Sequence, residues 1–118
     1  MYTRLQPILF VADLAAEIEF YHKLGFVTIY QEDNFAGISD GGSILFGLLS
    51  RNKEKPVVDQ PIVWQIGTKD IDGVHQRCME ETLEVLQPPE KQNWGEWVMI
   101  VQSPNGYQVY FEGEKLLS

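Results

Sequence analysis

Three shortages stand out in this sequence: it has one cysteine, only nine basic residues against seventeen acidic ones, and no long apolar run. A lone cysteine excludes an intramolecular disulfide and suits a reducing compartment. A net charge of −8 leaves no basic stripe to neutralise phosphates, so nucleic acid is not an expected partner. A bilayer span needs roughly 20 apolar residues. The run Ile8–Ala12 ends at Asp13 and does not have a signal-peptide pattern. No membrane partner is expected, and the cytoplasm is the expected location.

Catalytic signatures are scarce too. The chain has no Gly-x-Ser-x-Gly elbow, no phosphate loop and no Cys-x-x-Cys. His22 and His75 fall on different predicted helices and make no metal-spaced pair. The acidic clusters Glu32-Asp33, Glu80-Glu81 and Glu112-Gly113-Glu114 lack the spacing of a metal loop and read as solvated surface. Cys78 lies four residues after Val74 on an apolar stripe and reads as a buried structural thiol.

What the chain does have is strands punctuated by turns. Leu5–Val11 reads as a strand, opened by Pro7, which restricts it to an edge or a bend. Asp13 caps a helix whose apolar stripe is Leu14, Ile18 and Tyr21, with Glu17, Glu19 and Lys23 facing water, and Gly25 stops it. Strands Phe26–Gln31, Phe35–Ser39 and Ser43–Leu49 follow, the last pair joined through Asp40-Gly41-Gly42. The polar stretch Ser50–Gln60 is the linker. Beyond it the order repeats. Pro61–Gly67 is a strand, and Asp70 caps a helix bearing Ile71, Val74, Cys78 and Met79. Leu83–Leu86 is a short strand and Gln87–Asn93 a polar loop. Trp97–Val101 and Tyr107–Glu112 form a hairpin through Ser103-Pro104-Asn105-Gly106.

This repeat predicts an α+β fold: two βαβββ modules forming a curved mixed sheet around a cleft. The chain reads as a single domain over residues 1–118. Module 1 covers about 4–50, the linker 51–60 and module 2 about 61–114. Each module has one helix to cover one sheet face, so the other faces must curl around a shared cleft. Aromatic residues are plentiful on the strands: Phe35, Phe46, Trp64, Trp97, Tyr107, Tyr110 and Phe111, with Trp94 in a loop. Most such rings belong to cores, but those pointing into a cleft make a stacking site for a flat or cationic ligand.

The doubled pattern, with PILFVADLAAEIEFYHKLGF near the start and NWG and SPNGYQVYFE near the end, resembles the vicinal oxygen chelate superfamily. That family includes glyoxalase I, extradiol dioxygenases and bleomycin-resistance proteins. Its enzymes hold a divalent metal with four side chains, one from each of four strands. Counted from the capping aspartates and the final turn, those positions here are Gln6, Phe46, Trp64 and Tyr110. Glutamine is an acceptable ligand, but phenylalanine and tryptophan are not, and a neutral tyrosine suits a hard ion poorly. Gly47, beside Phe46, offers no donor. The resemblance therefore implies no metal, no cofactor and no catalytic residue.

EDNFAGISDGGSILF and FYHKLGF are similar to the bleomycin-resistance branch, whose members are small acidic homodimers that sequester a cationic, planar-tailed antibiotic at the subunit interface. By that resemblance Phe35 and Trp94 match stacking aromatics, Pro7 matches the proline where the first strand crosses to its partner, and Trp64 lines the cleft floor. Two departures stand: the stretch from Trp94 to Pro104 is one residue longer than is usual in that branch, and Ser103 replaces the usual aspartate. The expectation is a homodimeric binding protein for a small planar, cationic molecule, with Phe35, Trp64, Trp94, Tyr110, Phe46 and Gln6 as binding residues. One alternative is an enzyme using Gln6, Tyr110 and Glu112 for acid–base chemistry, or a nonstandard metal site. Another is a structural or interaction domain whose cleft is filled by Trp64 and Phe46.

Overall fold

Asp13 and Asp70 each begin a helix. Asp13 Oδ1 accepts the Ala16 N–H at 3.0 Å, and Asp70 Oδ1 accepts the Gly73 N–H at 2.9 Å. In the computed structural model, which describes residues 1–51 and 60–115, each helix follows a strand and precedes three more. The first set is β1 (Ile8–Val11), α1 (Leu14–Lys23), β2 (Val27–Gln31), β3 (Phe35–Ser39) and β4 (Leu45–Ser50). The second is β5 (Trp64–Thr68), α2 (Ile71–Glu80), β6 (Glu84–Lys91), β7 (Trp97–Gln102) and β8 (Gln108–Gly113). The two sets are two compact units, and the expected linker, apart from its end residues, lies outside the described residues.

Each unit holds a four-stranded mixed sheet of the same topology, β1-β4-β3-β2 and β5-β8-β7-β6. The strand before each helix pairs in parallel with the last strand of its unit, and the remaining pairs are antiparallel. The expected α+β order of two βαβββ modules is therefore present. β1 is an edge strand, as Pro7 requires, and the Pro7 carbonyl accepts the Gly47 N–H at 2.8 Å. No helix among the described residues is long and apolar enough to cross a membrane.

Each helix covers one face of its own sheet. In the first unit Ile18, Phe20 and Tyr21 of α1 pack with Ala36, Ile38, Phe46 and Leu48. In the second, Ile71 and Cys78 of α2 are buried, as are Met99, Val101, Val109 and Phe111 of the sheet. Gly25, at φ 99°, closes α1 in the left-handed conformation that glycine tolerates.

Several boundaries differ from expectation for local reasons. Phe26 donates its N–H to the Tyr21 carbonyl at 2.9 Å and so belongs to the helix end rather than to β2. The Asp40 carboxylate takes the N–H groups of Gly42 and Ile44, so β4 starts at Leu45. β6 runs on to Lys91 where a loop is expected. It is an edge strand, so Pro88 and Pro89 are tolerated there, and its register shifts twice along that stretch. Glu17, expected in water, is fully buried, because α1 buries a face wider than one stripe; its carboxylate lies in the first turn, the favourable end of the helix dipole. Met79, expected on the α2 stripe, is 65% exposed.

Candidate functional site

Successive residues of a strand point to opposite sides of the sheet, while directly paired residues on neighbouring strands share a side. In the first unit Ile38 pairs with Phe46, and Gly37 and Ile8 both pair with Gly47. Phe46 is 4% exposed and packs edge-on to Tyr21 at 4.9 Å between centroids, with Phe26 at 6.3 Å. It belongs to the core under α1, which corrects its expected place among the binding residues. The open-face position on β4 is Gly47.

The Phe35 ring occupies the space above Gly47. A Cβ added at residue 47 would lie 2.7 and 2.8 Å from Cζ and Cε2 of Phe35, and 3.3 Å from Ile8 Cγ1. Phe35 and Gln6 come together in one recess of about 480 Å³, whose walls also include Arg4, Ile8, Tyr30 and Leu45. The Tyr30 ring is tilted against Phe35 at 6.2 Å. Its hydroxyl donates to Glu32, and that hydrogen bond, together with the carboxylate's charge, raises the phenol above its ordinary pKa.

The second unit repeats the geometry with different side chains. Trp64 pairs with Val109, which pairs with Val101, and both valines are fully buried. Gln65 pairs with Tyr110, which pairs with Ile100, on the opposite face. Trp64 is thus on the side covered by α2, and Tyr110 on the open side. The expected positions on β4 and β5 are each one residue out of step, and in a strand one step reverses the face.

Glu112 follows Tyr110 by two residues on the same open face. Trp94 Nε1 donates to Glu112 Oε1 at 2.9 Å, and Gln65 Nε2 donates to Oε2. Trp94 otherwise stands in solvent, 63% exposed. Glu112 also lines a second recess, of about 670 Å³, together with Thr68, Lys69, Glu96, Gly113 and Glu114. The cluster Glu112–Glu114, expected as plain solvated surface, therefore forms the wall of a concavity. Its signal in the sequence was the alternation from Tyr110 to Glu112.

A divalent metal finds poor donors at these positions. Of the open-face residues Ile8, Gly47, Gln65 and Tyr110, one is an amide and one a phenol, and the Glu112 carboxylate beyond them is already bonded to Trp94 and Gln65. Among the described residues no group of three or more His, Cys, Asp or Glu side chains is arranged to hold an ion. Other reactive side chains lie elsewhere: His22 Nε2 is 2.7 Å from the Thr28 hydroxyl, and burial pushes the Cys78 thiol up to about 11.

The family model of the Glyoxalase/Bleomycin resistance protein/Dioxygenase superfamily matches residues 4–111. Similar solved structures include a bleomycin resistance determinant encoded on the transposon Tn5, 15% identical with a TM-score of 0.79, over 98% of this chain and 100% of that one. A bleomycin-binding protein complexed with bleomycin is 15% identical with a TM-score of 0.76, over 97% and 100% of the two chains. Lactoylglutathione lyase from Agrobacterium tumefaciens is 16% identical with a TM-score of 0.75, over 98% and 96%. At these identities the likeness is one of fold. No curated protein matches the sequence.

Proposed function

The chain belongs to the glyoxalase/bleomycin resistance protein/dioxygenase superfamily, and from that membership we propose a metal-free protein that sequesters a small planar, cationic molecule. One observation carries the reading: an exposed tryptophan is fastened to a carboxylate at the edge of an acid-lined recess. Glu96, Glu112 and Glu114 outnumber the single Lys69 there, so a cation entering it meets a favourable field. The indole face adds a cation–π attraction of about 0.5–1 kcal/mol at such an exposed site. The Glu112 bond holds the ring in one orientation, which lowers the entropy lost on stacking.

The recess of the first unit offers apolar and ring surface of its own. Phe35 and Tyr30 offer ring surfaces, Ile8 and Leu45 apolar contact, and Gln6 an amide for orientation. A net charge of −8 draws cations toward the protein as a whole. One protein of this fold is a bleomycin-binding protein with bleomycin bound, which supports the assignment by analogy of fold. The proposal includes a cytoplasmic homodimer. Function then lies in capture, and no bond in the ligand is made or broken.

Titration with bleomycin and a panel of planar cations, followed by tryptophan fluorescence, tests this. Saturable quenching at near-stoichiometric ratios is the expected result. No response across the panel overturns the proposal. Stoichiometric zinc, nickel, manganese or iron in the purified protein overturns its metal-free part.

A further inference from the structure

Gly47 sits inside β4, hydrogen-bonded between β1 and β3, where glycine is a costly choice. A strand-interior glycine costs about 0.5–1 kcal/mol relative to alanine and contributes no side chain to packing. Its backbone does not call for glycine either, since the glycines with positive φ are Gly25, Gly41, Gly95 and Gly106. What glycine accommodates is the Phe35 ring, two of whose atoms would meet a Cβ at 2.7 and 2.8 Å, so that any larger residue obliges the ring to move. Gly37, the paired residue on β3, differs: a Cβ there would make ordinary contacts at 3.5 and 3.6 Å with Ile29 and Tyr30.

We infer that Gly47 is the specificity-determining residue of the first recess: by carrying no side chain it lets Phe35 lie across β4, leaving room for a flat ring beside Phe35 and Tyr30. The inference rests on the proposal that this recess stacks a planar ligand, and it refines the ligand class. Alanine at 47 pushes the Phe35 ring off the strand and into the space the ligand uses. Gln6 offers a polar contact at the ligand's edge, and the Arg4 guanidinium at the same recess directs the cationic end of a ligand away from it.

Binding of proflavine, a flat aromatic cation, and of spermidine, a flexible aliphatic one, is measured by calorimetry. The proteins are wild type, Gly47→Ala, Phe35→Ala and the double variant. Gly47→Ala is expected to raise the proflavine Kd about tenfold, a misfit of roughly 1.4 kcal/mol, and to leave spermidine unchanged. In the Phe35→Ala background the same substitution should change proflavine binding less than about twofold, since the clash has gone. An unchanged proflavine Kd, equal losses for both cations, or a tenfold loss that persists without Phe35 overturns the inference while the binding proposal survives. If Gly47→Ala alone fails to fold, recovery of folding in the double variant upholds the Phe35–Gly47 contact, and failure to recover overturns it. Wild-type protein that binds neither cation overturns the binding proposal, and this refinement with it.

Discussion

The Trp94 indole N–H and the Glu112 carboxylate are joined at 2.9 Å, and the amide of Gln65 holds the carboxylate's other oxygen. Glu112 thus has two duties, orienting the ring and supplying charge. Glu112→Gln separates them, because the amide oxygen still accepts from Trp94 while the charge is gone. Affinity for planar cations is expected to fall about two- to fivefold, in the range of one partly exposed ion pair. Its salt dependence should also flatten. Titrations in low and high sodium chloride check this, and an unchanged salt slope would show that Glu112 does not face the cation.

Phe35 and Phe46 lie on opposite faces of the first sheet, so their truncations should separate stability from binding. Phe46→Ala empties part of the Tyr21–Phe26 cluster and should cost about 3–5 kcal/mol in urea unfolding. Phe35→Ala removes a half-buried ring from a recess and should weaken planar ligands with a much smaller stability loss. If Phe46→Ala were tolerated and abolished binding, the assignment of faces would be reversed.

That pair also shows what the sequence could convey. Element order was legible because each helix has a capping aspartate and each hairpin its own glycine turn, signals that are local and chemically specific. Which face a strand residue takes was not. Counting from Asp13 and Asp70 carries an error of one or two residues across a loop, and one residue is enough to exchange Phe46 for Gly47 and Trp64 for Gln65. Gln6 and Phe35 line the first recess and Tyr110 lies on an open face, whereas the sequence presents Glu112 only within an acidic cluster and as an acid–base candidate beside Gln6 and Tyr110. The Glu112 bond to Trp94, eighteen residues away, depends on pairing that no local pattern encodes. The sequence makes β6 look too short for a related reason, since proline argues against a strand until its edge position is known.

The β3–β4 turn carries a pH dependence. The Gly42 and Ile44 N–H groups both donate to Asp40 Oδ1, which holds the carboxyl below its ordinary 3.8 in the folded protein. A depressed folded-state pKa gives stability that is full above the unfolded value and is lost as the pH falls through the folded one. Asp40→Asn should therefore lower Tm at neutral pH, and the gap to wild type should narrow below about pH 4. Thermal melts from pH 2 to 7 check this, and a gap independent of pH would show that the bonds contribute nothing as a charge.

Cys78 gives the opposite sign. It is fully buried on α2, and burial pushes its thiol from 9.0 up to about 11. The reactive form is the thiolate, so both ionisation and access are suppressed in the folded state. A disulfide reagent such as dithionitrobenzoate should label the native protein negligibly at pH 8 and label it fully in guanidinium. A folded pKa above the unfolded one also means stability that is complete below pH 9 and declines as the pH rises toward 11. Cys78→Ala removes that decline at the cost of a small cavity, about 1 kcal/mol. Its melting curve should therefore lie below wild type at pH 7 and approach it at pH 10. Rapid native labelling, or parallel curves at every pH, would place the thiol at the surface instead.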